Sequence, residues 1–159
     1  MKKVNKTELI NAYSDKINEK WNEIKKENPN EESVINYSPQ YMLYDIDNNG
    51  IMELIIDMGT YESNRTFEFY TYKNGLINLG TVSGSHSVIT VPSDKNGLYL
   101  NYSHMDTAHL YRLTLDGGKI KKSTIFENKD YEYADKYKST LLKEYHASDL
   151  SELNNKLTN

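Results

Sequence analysis

One stretch concentrates side chains able to hold a cation. Asp45-Ile46-Asp47-Asn48-Asn49-Gly50-Ile51-Met52-Glu53 places oxygen-bearing side chains at its first, third, fifth and ninth positions and glycine at its sixth. Calcium takes about 6–8 oxygen ligands at roughly 2.3–2.6 Å, and a tight turn presents alternate residues inward. Asp45, Asp47, Asn49 and Glu53 supply side-chain oxygens, the Ile51 carbonyl supplies the seventh-position ligand, and Gly50 permits the bend. A helix–loop–helix calcium site would need glutamate at its twelfth position. Ile56 stands there, and Tyr41–Tyr44 and Leu54–Ile56 read as strands rather than helices. Glu53 therefore closes the site, directly or through water. With no cation, the same residues make a hairpin turn in which Asx side chains bond their own backbone. That alternative leaves Asp45, Asp47 and Glu53 repelling one another, so the spacing predicts a calcium site. Its expected role is structural, because no nucleophile or base is evident beside it.

A second set of residues is brought together only by a predicted hairpin. With a loop at Met105-Asp106-Thr107-Ala108, Tyr102 faces Tyr111, Leu100 faces Leu113 and Leu98 faces Leu115, all on one apolar face. That register sets His104 opposite His109 with Asp106 in the loop between them, and His86 arrives from a Gly-rich turn. Two or three histidines and a carboxylate suit a transition metal or an acid–base pair. The competing expectation is that they close the end of the core and bond to backbone. No Gly-x-Ser-x-Gly elbow, phosphate loop or His-Glu-x-x-His is present. Of the 14 tyrosines, Tyr61 in the polar loop 59–65 is the one expected to touch a ligand; most of the others suit strands.

Composition excludes several classes. Cysteine is absent, which removes disulfides, zinc–thiolate sites and thiol catalysis. The net charge is −4, the wrong sign for a generic nucleic-acid binder. No apolar run approaches the roughly 20 residues of a membrane span. The mean hydropathy is −0.77, yet 159 residues that are 37% apolar suffice for one core.

The loop resembles the calcium loops of FG-GAP/VCBS-type β repeats, which carry an acidic residue at the ninth position between strands. More closely, Tyr44-Asp45-Ile46-Asp47, Gly50, Glu53-Leu54-Ile55 and then Tyr70-Thr71-Tyr72-Lys73-Asn74-Gly75 are similar to uncharacterised lipoprotein-like proteins of Gram-positive bacteria. There a Tyr-x-Tyr hairpin, a Gly-x-His segment and a Tyr-x-His-Met segment follow the acidic loop. Here these are Ser83-Gly84-Ser85-His86 and Tyr102-Ser103-His104-Met105. The likeness covers roughly residues 40–120 and implies export or surface attachment. Asn49 stands where aspartate is commoner, which lowers the charge of the loop. The start, Met1-Lys2-Lys3, is basic like a leader's first residues, but no apolar stretch follows it.

The elements that must position these residues can be read from periodicity. Ile10, Tyr13, Ile17, Trp21 and Ile24 form one stripe of a helix over 6–27, with Asn5 and Glu8 in capping-box positions and Asn28-Pro29 as its stop. Residues 41–126 read as eight strands, 41–46, 52–58, 65–73, 76–82, 86–91, 97–104, 109–116 and 119–126, joined by tight turns. Asn74-Gly75 predicts a two-residue turn that sets Tyr72 against Ile77, and Gly117-Gly118 one that sets Leu115 against Ile120. Tyr133, Tyr137, Leu141 and Tyr145 recur every four residues and predict helix, followed by a short helix capped at Asp149, so that helices span 132–158.

The expected fold is therefore α+β and one domain over 1–159. It comprises an antiparallel meander in two propeller-blade-like groups of four strands, making an open bent sheet with helices packed on it. The expected function is a non-enzymatic, Ca2+-binding module. It would be extracellular or attached to the cell surface, would bind an unknown protein or polymer but no nucleic acid, and would be a monomer or weak oligomer. The alternatives are a metal-dependent enzyme using His86, His104, Asp106 and His109, or a cytoplasmic protein acting through protein–protein contact.

Overall fold

A computed structural model describes residues 3–158; Met1, Lys2 and Asn159, which include part of the basic start and both extremes of the 1–159 domain, lie outside the described residues. Helix α1 spans Lys6–Glu27, and Asn5 caps it by accepting the Glu8 N–H at 3.2 Å. Its buried face is Leu9, Tyr13, Ile17 and Ile24, with Ile10 and Trp21 half-buried at its borders. Each such side chain contributes roughly 1.5–3 kcal/mol on burial. A short helix α2, Glu32–Tyr37, follows; the periodicity of so few residues did not announce it.

Strands β1 (Gln40–Tyr44), β2 (Glu53–Asp57), β3 (Thr66–Tyr72) and β4 (Leu76–Ser83) form one antiparallel meander. Strands β5 (Ser87–Pro92), β6 (Leu98–His104), β7 (Thr107–Asp116) and β8 (Lys119–Lys129) form another. The predicted eight strands and their division into two groups of four correspond to these elements. The open bent sheet does not. The meanders are separate sheets packed face to face, because Met42, Ile55, Phe67 and Phe69 of the first share one core with Ile89, Val91, Leu98, Leu100 and Leu113 of the second. Strands of this kind alternate their faces, so the first sheet also has an apolar outer face. Tyr41, Leu43, Leu54, Ile56 and Tyr70 on that face are covered by α1 and by α4 (Ser151–Leu157). Among the described residues no helix is long and apolar enough to cross a membrane.

The C-terminal helices predicted over 132–158 are mostly not helices. A single turn, α3 (Tyr131–Ala134), is followed by β9 (Ser139–Leu141) and β10 (Tyr145–His146), and only α4 restores a helix. The four-residue spacing misleads because its members have different neighbours. Tyr133 and Tyr137 pack on Phe126, with ring centroids 5.0 and 5.2 Å away, Leu141 is 72% exposed, and Tyr145 lies on Tyr41 at 5.6 Å. Two open sheet edges take this segment instead. β9 pairs with β5 in one sheet and β10 with β1 in the other, so the chain crosses from sheet to sheet between them.

Two hairpin registers also differ from expectation. Tyr72 faces Leu76, not Ile77, because Lys73–Gly75 is a three-residue loop in which the Lys73 N–H donates to the Gly75 carbonyl. A bulge at Phe69/Tyr70 then absorbs one residue. In the β6–β7 hairpin the loop is only Met105-Asp106, both with positive φ (50° and 63°), as a type I′ turn requires. Leu98 consequently faces Leu113, Leu100 faces Tyr111, Tyr102 faces His109 and His104 faces Thr107. The shift is by two residues, so every side chain keeps its predicted face. The Gly117-Gly118 turn matches its prediction, with Leu115 against Ile120.

Candidate metal centre

The acidic loop joins β1 to β2, and its ends are held by the ladder pair Tyr44–Glu53. Asp45 follows the last residue of β1 and Glu53 is the first of β2, so strand pairing brings two carboxylates eight positions apart close together. Between them the loop folds on its own acceptors. Asp45 accepts the Asn49 N–H at 3.1 Å and the Gly50 N–H at 2.8 Å, and Asn49 Oδ1 accepts the Ile51 N–H at 2.8 Å. Asn49 Nδ2 donates to Asp47 at 3.3 Å. Gly50 has φ +91° with open space around its missing Cβ, so backbone conformation alone selects glycine there.

Ligand oxygens of Asp45, Asp47 and Glu53 all lie within 4.8 Å of one another, which is the one such group of His, Asp or Glu side chains among the described residues. Asp47 is exposed, Asp45 half-buried and Glu53 fully buried. The Glu53 carboxylate accepts the Ile46 N–H at 2.7 Å and the Thr71 hydroxyl at 3.2 Å. Burial pushes the Glu53 carboxyl up to about 7, with Asp47 and Asp45 adding to the rise while the Ile46 N–H and Thr71 oppose it. The Asp47 carboxyl is also raised, by desolvation first and then by the Asp45 charge. Tyr13 of α1 roofs this corner, donating to the Met52 carbonyl at 2.7 Å. Burial first, and then the Glu53 charge, hold its hydroxyl well above the usual phenol range. Thr71 and Tyr13 belong to the site and were missed, because they come from a distant strand and helix with no local signal.

The donor set is all oxygen, the chemistry of a hard cation. Two unit charges about 4.8 Å apart repel by about 3.5 kcal/mol at an effective dielectric of ~20. A proton or a cation relieves this, and each carboxylate oxygen that accepts one N–H or O–H retains a second lone pair for a metal. The residues present therefore fit a divalent oxygen-liganded ion: Asp45, Asp47 and Glu53 supply charge, and Asn49 and the Ile51 carbonyl lie within the same loop. No protein-family model matches the chain, and no curated protein or solved structure matches it either.

Of the second predicted set, the structure brings His86 and His104 together and gives His109 and Asp106 other neighbours. His86 stacks on His104, ring centroids 4.0 Å apart, while His109 lies against Tyr102 at 4.6 Å with its Nδ1 3.6 Å from Glu127. Asp106 sits at the turn, where its backbone N–H donates to the Tyr131 hydroxyl at 3.2 Å. The two-residue turn is the reason: it carries His104 past His109, so the pair does not sit side by side as the four-residue loop implied. Tyr61 is 61% exposed, beside the 3-10 turn Glu62–Asn64.

A third polar cluster had no counterpart in the sequence reading. Arg65 reaches Asp57 at 3.1 Å, Glu144 at 3.3 Å and the Ser87 carbonyl at 2.9 Å, tying β2, β5 and the β9–β10 link together. Burial raises the Asp57 carboxyl, against the Gly59 N–H and Arg65. Burial and then the Asp57 charge push Glu144 up to about 7, with Arg65 opposing the rise. Arg65 and Glu144 are 79 positions apart and pair only through tertiary structure.

Proposed function

We propose that this chain is a non-enzymatic, calcium-stabilised β module, exported or attached at a cell surface, that engages a protein or polymer partner. The observation that carries the reading is the convergence of Asp45, Asp47 and Glu53 within 4.8 Å at the base of a β-hairpin. Its role is architectural. A cation there would neutralise repulsion between the end of β1 and the start of β2, and Glu53 touches the Thr71 side chain of β3, so the ion would brace the middle of the first sheet. Sites of this kind outside cells bind at about 10⁻⁴–10⁻³ M, in the range of calcium found there. In this reading the two four-stranded meanders are blade-like units set face to face rather than around a ring.

The test is thermal unfolding of the full chain in chelator and in millimolar calcium. Mass action predicts a rise in Tm with calcium, of about 1–3 kcal/mol in stability at 10–100 times Kd. Asp45→Asn and Asp47→Asn should each reduce the calcium-dependent rise while leaving the chain folded in chelator. Superimposable melting curves for the wild-type chain with and without calcium refute the reading.

A further inference from the structure

The chain has four histidines, and the fold itself employs two of them. His146 uses both ring nitrogens, Nδ1 lying 2.8 Å from the Ser148 hydroxyl and Nε2 2.9 Å from the Ile35 carbonyl. His109 Nδ1 accepts the Asn128 N–H at 3.4 Å and faces Glu127. By contrast, no ring nitrogen of His86 or His104 makes a hydrogen bond with another described residue. Yet these are the two whose rings lie face to face, 4.0 Å apart and within 20° of parallel.

Their backbone is well held. The His86 N–H donates to the Glu62 carbonyl at 2.9 Å, and the Ser103 N–H donates to the His86 carbonyl at 3.0 Å. His86 stands in the left-handed region, φ 51°, which non-glycine residues adopt uncommonly and histidine more readily than most. The turn thereby sets its ring over a residue of the neighbouring strand. His104 is exposed, so solvent ions reach the pair. The Glu62 carboxylate lies 3.8 Å from His86 Nδ1, on a side chain 73% exposed.

We propose that His86 and His104 chelate a borderline divalent cation such as zinc, nickel or copper(II), with Glu62 as a third ligand and water completing the shell. Imidazole nitrogen suits these metals, whereas calcium takes oxygen. At metal–nitrogen distances of 2.0–2.1 Å, two nitrogens of a tetrahedral site are about 3.3 Å apart, and the ring centroids of His86 and His104 lie 4.0 Å apart. The ligand atoms of Glu62, His86 and His104 do not all lie within 4.8 Å of one another as they stand, so the chelate requires the exposed His104 ring and the half-buried His86 ring to turn out of the stack. The set leaves out His109 and Asp106, whose nearest partners lie elsewhere, and it shares no residue with the acidic loop.

The experiment is calorimetric titration of zinc chloride, and separately nickel chloride, into the full chain near neutral pH. One equivalent should bind in the micromolar range. His104→Ala and His86→Ala should each weaken binding by at least about tenfold, and Glu62→Gln should weaken it less. His109→Ala and Asp45→Asn should leave it unchanged. A second measurement needs no variant: substoichiometric copper(II) should broaden the imidazole signals of His86 and His104 in the proton spectrum while those of His109 and His146 persist. Absence of micromolar zinc or nickel binding, affinity that survives His104→Ala, or equal broadening of all four histidines would each overturn the proposal.

Discussion

Replacing Glu144 by glutamine should flatten the pH dependence of stability. Asp57, 2% exposed, and Glu144 compete for one guanidinium, that of Arg65, at 3.1 and 3.3 Å. With both carboxyls ionised, the cluster carries a net negative charge away from water; one shared proton removes it. Glu144 is accordingly pushed from its ordinary 4.5 up to about 7, by burial and then by the Asp57 charge. The folded chain thus holds this proton more tightly than the unfolded chain. Stability from this group is complete below the ordinary carboxylate value and is lost as pH rises through about 7. The whole shift corresponds to about 3 kcal/mol, of which about 1 kcal/mol disappears between pH 6 and pH 8. Glutamine is neutral, has nearly the same shape, and can donate to Asp57 from its amide as the protonated acid does. Urea unfolding at pH 6, 7 and 8 should show the wild-type chain losing about 1 kcal/mol more than Glu144→Gln across that range. The variant should also be the more stable of the two at pH 8. Parallel pH profiles, or a variant less stable than wild type at pH 8, would mean that Glu144 is ionised in the folded protein and that no proton is shared.

Arg65→Met removes the cation from the same cluster, leaves Asp57 buried without its partner, and should cost about 3–5 kcal/mol in urea unfolding; a loss below about 1 kcal/mol would show that the ion pairs are not what holds β2 to the β9–β10 link. Gly84→Ala would place a methyl 2.2 Å from the ring of Phe67, which is fully buried, so it should destabilise by about 1–3 kcal/mol with reduced near-UV dichroism, whereas an unchanged Tm would contradict the packing.

Much of this architecture was legible in the residue order because its signals are local. The stripe of α1 and the alternation of eight strands report which side of each element meets water, and that periodicity does not depend on what covers the other side. The Gly117-Gly118 turn was legible for a similar reason, since two successive residues at positive φ leave few geometries open. The convergence of the acidic loop was readable too: its carboxylates sit within nine consecutive residues, and the β1–β2 hairpin brings Asp45, Asp47 and Glu53 together without help from elsewhere.

Tertiary structure decided whatever depended on pairing at a distance. Met105-Asp106 could be read as part of a four-residue loop, because Asp and Met do not advertise positive φ as glycine does; the ladder settled on a two-residue turn and separated His104 from His109. The segment from Tyr133 to Tyr145 carried a helical spacing, but β5 and β1 presented unpaired edges, and backbone hydrogen bonding to them outweighed a propensity worth only tenths of a kcal/mol per residue. Thr71 on Glu53 and Arg65 on Glu144 join residues 18 and 79 positions apart. No local pattern encodes such contacts: a buried charge selects its partner only when two sheets have closed around it.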